Sequence, residues 1–170
     1  AEIKDIVSYL RLIANADDDP AFIRAATTPR RGIGQATLEA LGEFSGQWQC
    51  SLFEAVFKGG IEARLSERQL FPLREFCEFI NQLESRASRV GPSGTGENAA
   101  AVLDDMMKAI DYEPYLYGAF DDRQAQEKWQ NVLDFIGWLK EKGNGGREGA
   151  DGEKSLLELT QMVALMSMLE

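Results

Sequence analysis

Thr28-Pro29-Arg30-Arg31-Gly32-Ile33-Gly34 is the stretch of this 170-residue chain whose residue types and spacing could do chemistry, and that chemistry is anion capture. Pro29 pushes Thr28 out of the helical region, and the glycines let the backbone turn tightly with its amides uncovered. A helix beginning near Gln35 aims its partly positive N-terminus at that turn, and Arg30 and Arg31 add full charges beside it. A phosphate fits such a place. Amide–phosphate and guanidinium–phosphate contacts would hold a nucleic-acid backbone without reading its bases.

A Gly-x-Gly between two helices is also common punctuation. The dinucleotide fingerprint is not met here, because the third glycine is missing and no strand pattern precedes the turn. Local charge favours the anion site. From Pro20 to Thr37 there are Arg24, Arg30 and Arg31 and no Asp or Glu, in a chain whose net charge is -10. That overall charge argues against wrapping nucleic acid over a wide surface, so any contact must be small and local.

Other chemistry is poorly supplied. With no histidine, the commonest general base and metal ligand are missing. Cys50 and Cys77 are too few for a disulfide framework or a zinc site, and Cys77 falls on an apolar helix stripe. The acid pairs Asp104-Asp105 and Asp121-Asp122 are the candidates for an enzyme, but neighbours on a helix point in different directions. No Gly-Lys-Ser/Thr phosphate loop occurs, and the glycines of 91–96 lack one.

The elements that must position the turn are helical. Apolar residues recur at helical spacing almost throughout, which predicts an all-α, bundle-like domain of about eight helices with a helix-hairpin-like Gly-Ile-Gly turn. The first helix carries Ile3, Ile6, Val7, Leu10 and Ile13 on one face. Asp18 or Asp19 caps a second, with Pro20 in its first turn and Phe22 and Ile23 as anchors. A third presents Leu38, Leu41 and Phe44 and ends near Gly46; a short fourth over 51–57 stops at Gly59-Gly60.

Ser66 with Gln69 forms a capping box for a fifth helix with stripe Leu73, Phe76, Cys77, Ile80, Leu83 and Ala87. A sixth shows Val102, Leu103, Met106 and Ile110, and the aromatics of Asp111 to Tyr117 lock a helix corner. The seventh presents Trp129, Val132, Leu133, Ile136 and Leu139. The last is capped by Ser155 with Glu158 and carries Leu156, Leu159, Met162, Val163 and Met166. Residues 91–97 and 143–152 read as flexible loops. No stretch is apolar enough for a membrane span, so a soluble cytoplasmic domain without a membrane partner is expected. Both ends read as cut.

Several pieces together resemble one family. Glu2-Ile3-Lys4-Asp5 leading into Tyr9-Leu10-Arg11-Leu12, then Asn15 with Asp17-Asp18, Ala21-Phe22-Ile23-Arg24 and Thr28 to Gly34, are similar to a run in superfamily 1 DNA helicases of the Rep, UvrD and PcrA group. Asp111 to Tyr117 and Asn131-Val132 look most like the Rep branch. The likeness is specific through about residue 44 and diffuse but collinear afterwards.

The resemblance implies that residues 1–170 are the inserted helical domain called 2B, excised from the second RecA-like domain, 2A. It implies a parent ATP-dependent 3'-5' DNA helicase, an ATP hydrolase using ATP and Mg, that works in DNA replication and repair. The fragment alone holds no cofactor, no metal and no catalytic residue. Carried over, the DNA-contact set is Thr28, Arg30, Arg31, Gly32, Ile33, Gly34, Gln35 and Thr37, on duplex DNA at a single-strand/double-strand junction. The implied partners are that duplex, 2A and the other domains of the parent. The alternative reading is an all-helical protein-interaction or autoregulatory domain without direct DNA contact, its acidic surface docking a basic partner.

Overall fold

The computed structural model describes residues 1–88, 98–143 and 154–168, and the side chain of Met168 is not among what it describes. Among the described residues the chain is all α-helical, with nine α-helices, one short 3-10 turn and no strand. The helices are α1 (Glu2–Ala14), α2 (Asp19–Thr27), α3 (Gln35–Trp48), α4 (Leu52–Val56), α5 (Glu67–Ala87), α6 (Ala99–Ile110), α7 (Tyr112–Ala119), α8 (Asp122–Gly143) and α9 (Leu156–Met168). The 3-10 turn, Ile61–Ala63, lies between α4 and α5. The expected loops at 91–97 and 143–152 lie outside the described residues, apart from Gly143, which ends α8.

Cap chemistry sets most boundaries. Asp18 accepts from the Ala21 amide at 3.1 Å and opens α2, with Pro20 in its first turn. Ser66 and Gln69 make the full reciprocal capping box that opens α5. Ser155 accepts from the Glu158 amide at 3.2 Å at the head of α9. Pro72 is tolerated inside α5, where it lacks only the one amide that would have bonded back a turn.

α1 packs on α2, α5, α8 and α9, so it is the central rod of the domain. Its expected single apolar face is too narrow a description. Asp5, Ser8, Tyr9 and Leu12 are buried along with Ile6, Leu10 and Ile13, because neighbours close on the helix from several sides.

Other departures have equally local reasons. α3 runs past Gly46 to Trp48 and stops at Gln49, whose φ of 52 takes the left-handed cap. Asp111, at φ 59, breaks the chain sharply, so 112–119 is a helix in its own right rather than a corner. Ile23 is 47% exposed and does not anchor α2; Phe22 does. On α8 the buried line is Ala125, Val132, Ile136 and Leu139, which turns Leu133 outward beside a groove between α6, α7 and α8. Leu165 and Met166 are likewise exposed on α9.

Candidate nucleic-acid interface

The expected contact stretch connects α2 to α3. α2 stops at Thr28, whose backbone is extended (φ -137, ψ 108) as a residue before proline must be, and the Thr28–Pro29 peptide is cis. Gly32 then takes φ +84, a conformation L side chains rarely adopt. Gly34 is the N-cap of α3 in extended geometry (φ -90, ψ 172), with no side-chain cap bond and nothing within 4 Å of where a Cβ would stand.

No acceptor among the described residues takes a backbone N–H from Arg30 to Thr37. The first bond of α3 runs from the Leu38 amide to the Gly34 carbonyl at 3.1 Å. Arg30, Gly32, Gly34, Gln35 and Ala36 are exposed. An exposed run of unpaired donors, closed by a helix N-terminus with no acid in its first turn, favours an anion.

The two arginines differ. Arg30 is exposed and forms no ion pair among the described residues; it borders a groove with Pro29, Asp111, Pro114 and Tyr115. Burial raises the Tyr115 phenol above its ordinary value, Asp5 adds to this, and Arg30 and then Arg24 pull it back. Arg31 is half-buried and turned inward. It donates from Nη2 to the Tyr9 hydroxyl and from Nε to the Pro29 carbonyl at 3.3 Å. Its guanidinium carbon lies 5.0 Å from the Phe76 ring centre and 5.6 Å from that of Tyr9.

Tyr9 in turn holds the end of α2. Its hydroxyl shares one proton between the Thr28 carbonyl at 2.7 Å and the Ala25 carbonyl at 3.1 Å. Burial pushes its phenol up to about 12, against the pull of Arg31.

The expected set thus divides. Ile33 and Thr37 are buried, which removes their side chains from any contact surface. Gln35 is exposed, with its amide nitrogen donating to Glu39 at 3.1 Å. Thr28 is half-buried with its carbonyl taken by Tyr9. Arg24, the third cation of the acid-free stretch, donates from Nε to Asp5 at 2.8 Å. Phe76 is not flagged as a site residue by the sequence because it lies on the apolar stripe of α5, and Tyr9 is not flagged because no local spacing joins it to Arg31, 22 residues away.

Three of the four acids weighed as enzyme candidates have partners within the fold. Asp104 meets Lys140 at 2.5 Å, Asp105 meets Arg86 at 2.9 Å, and Asp121 caps the Gln124 amide at 2.8 Å. No group of three His, Cys, Asp or Glu that could hold a metal occurs among the described residues. Among them, no helix is long and apolar enough to cross a membrane.

Comparison with known proteins places this chain in a family. The ATP-dependent DNA helicase Rep of Salmonella typhimurium (strain LT2) is 35% identical over 170 residues, 99% of this chain and 24% of that protein. The Rep helicase of Escherichia coli (strain K12) matches to the same extent. DNA helicase II of Escherichia coli (strain K12) is 45% identical over 82 residues, 48% of this chain and 11% of that protein. The chain therefore spans about a quarter of the length of the Rep relatives. The profile of the UvrD-like helicase C-terminal domain matches residues 1–170, and the chain belongs to that family.

Proposed function

We propose that this chain is the 2B subdomain of an ATP-dependent 3'-5' DNA helicase and that it grips duplex backbone through the Gly-Ile-Gly turn, at a single-strand/double-strand junction, to modulate unwinding. The observation that carries this reading is the stretch from Arg30 to Thr37, exposed at Arg30, Gly32, Gly34, Gln35 and Ala36, whose amides lack protein acceptors and whose Arg30 lacks a carboxylate partner among the described residues. Its support from relatives is the 35% identity to Rep helicases over 99% of the chain.

The mechanism is electrostatic placement. The N–H groups of Gly32 and of Gly34 to Thr37, with Arg30, fix the phosphates, while the helices behind them form a rigid mount. ATP and Mg belong to the motor domains of the parent, whose hydrolysis drives the strands apart, and 2A is the domain this one adjoins. The acidic body is compatible with the grip, since charges farther than about 8 Å are largely screened at physiological salt.

A salt titration of the chain on a short labelled duplex tests the reading. With about two or three phosphates neutralised, the logarithmic salt slope should be about -2 to -3. Arg30→Ala should make it shallower with folding unchanged, and unchanged binding would remove the reading.

A second reading has its own observation. Trp48 at the end of α3 and Phe57 just after α4 are 52% and 49% exposed, with Lys58 4.9 Å from the Trp48 ring centre. Exposed aromatics suit a protein-docking role. Duplex binding that survives Arg30→Ala but a loss of interdomain restraint on Trp48→Ala would favour it.

A further inference from the structure

We infer that Arg31 is the positioning residue of the turn rather than one of its phosphate ligands, and that Tyr9 and Phe76 are the seat that holds it. This rests on the duplex-gripping reading for its consequence in binding, but its geometry stands alone. Adjacent arginines in a turn look alike in a sequence, yet here only one faces out. The guanidinium of Arg31 is planar, and its position uses that shape three ways: it lies by the Phe76 ring, donates to the Tyr9 hydroxyl and donates back to the Pro29 carbonyl.

The attachment points explain what the seat does. The Tyr9 hydroxyl also bonds the Thr28 and Ala25 carbonyls, which end α2, so one phenol ties the entrance of the turn to its middle. Arg31 adds the link from Pro29 to α1 and α5. On the far side Ile33 is buried as a plug, and Gly32 stands 3.9 Å from Pro72 of α5 at its would-be Cβ. The turn is thus fastened at Thr28, Arg31 and Ile33, and the amides between and after those points are left outward with no hydrogen bonds of their own. A loop without internal backbone hydrogen bonds keeps one shape only through such side-chain fastenings. If they are cut, ordering the loop has to be supplied by the ligand, and affinity falls without any contact to it being removed.

Lysine separates the two roles. It keeps the charge that a phosphate needs, but it lacks the planar fork that the seat needs. The test follows duplex binding by fluorescence anisotropy over a range of salt, alongside nitrogen-15 relaxation of the Gly32 and Gly34 amides. Arg30→Ala should make the logarithmic salt slope shallower by about 1. Arg31→Lys and Tyr9→Phe should leave that slope unchanged while weakening binding about three- to tenfold. Both should lower the order parameters of Gly32 and Gly34, and Arg30→Ala should not.

The inference is overturned if Arg31→Lys binds like the native chain while Arg31→Ala makes the slope shallower by about 1, the mark of a phosphate contact. It is equally overturned if the two glycine amides stay as rigid in Arg31→Lys as in the native chain. Should the native chain bind no duplex, the proposed function fails, and the relaxation measurement still decides the role of Arg31.

Discussion

Tyr112 on α7 donates its hydroxyl to Asp5 on α1 at 2.6 Å, joining residues 107 positions apart. The other carboxylate oxygen of Asp5 takes Arg24 of α2 at 2.8 Å. One carboxylate, only 8% exposed, thereby holds three helices in register behind the turn. Burial and the bond to Asp5 raise the Tyr112 phenol well above its ordinary value, so it stays a donor. Asp5→Ala should destabilise the domain by about 2 to 3 kcal/mol, because it strands the buried Tyr112 hydroxyl. The partly exposed Arg24 rehydrates and adds little. Urea unfolding should show the loss as a lower midpoint at constant slope; an unchanged midpoint would remove Asp5 from that role.

Alkali should unseat the turn. Tyr9 is raised from 10.0 to about 12 by burial, so the unfolded chain loses this proton at lower pH than the folded one. A group whose folded pKa is raised supports stability fully below its unfolded value. That support therefore falls as pH climbs from 10.0 through about 12. Tyr9→Phe should remove the part of the decline due to this residue, and a native and a variant chain with parallel alkaline stability curves would contradict the assignment.

Gly32 and Gly34 should respond oppositely to substitution. Gly32→Ala meets no clash but must hold φ +84, which costs about 1 to 2 kcal/mol. Gly34→Asp has open space and suitable extended geometry, and as an N-cap it should stabilise α3 by about 0.5 kcal/mol. The same carboxylate would occupy the amides and repel phosphate. Thermal melts paired with duplex titration should therefore show a more stable chain that no longer binds.

The two thiols should be unequal. Cys77 is fully buried on α5, and burial pushes its thiol far up, whereas Cys50 is half-buried and raised less. The thiolate is the reactive species. A disulfide reagent should label Cys50 in the native chain and both residues only in denaturant; native labelling of Cys77 would mean that α5 opens.

Much of the fold was legible because helix periodicity and caps are local. The stripe of α5 from Leu73 to Ala87 is buried as its spacing requires, and Ser66 with Gln69 and Ser155 with Glu158 mark helix starts from residues three apart. Misreadings came where neighbours decide. Leu133 and Ile23 have apolar side chains on amphipathic helices, yet they stay 44% and 47% exposed among the described residues. Asp5 and Ser8 are polar but buried, because α1 is enclosed on several sides and its carboxylate is paired.

For the site, the sequence by itself determined where the turn lies, since Pro29, Gly32 and Gly34 impose backbone geometry within a few residues, and it determined that cations collect there without acids. Only the tertiary structure decided what each cation does. Arg30 and Arg31 are adjacent and chemically identical, and they part company because Tyr9, 22 residues upstream of Arg31, and Phe76, on α5, form a seat that only one of them can reach. Spacing along a chain encodes contacts a turn or two away. A contact between distant segments depends on how the helices pack, and that packing seats one of two like charges against Tyr9 and Phe76 and leaves the other exposed.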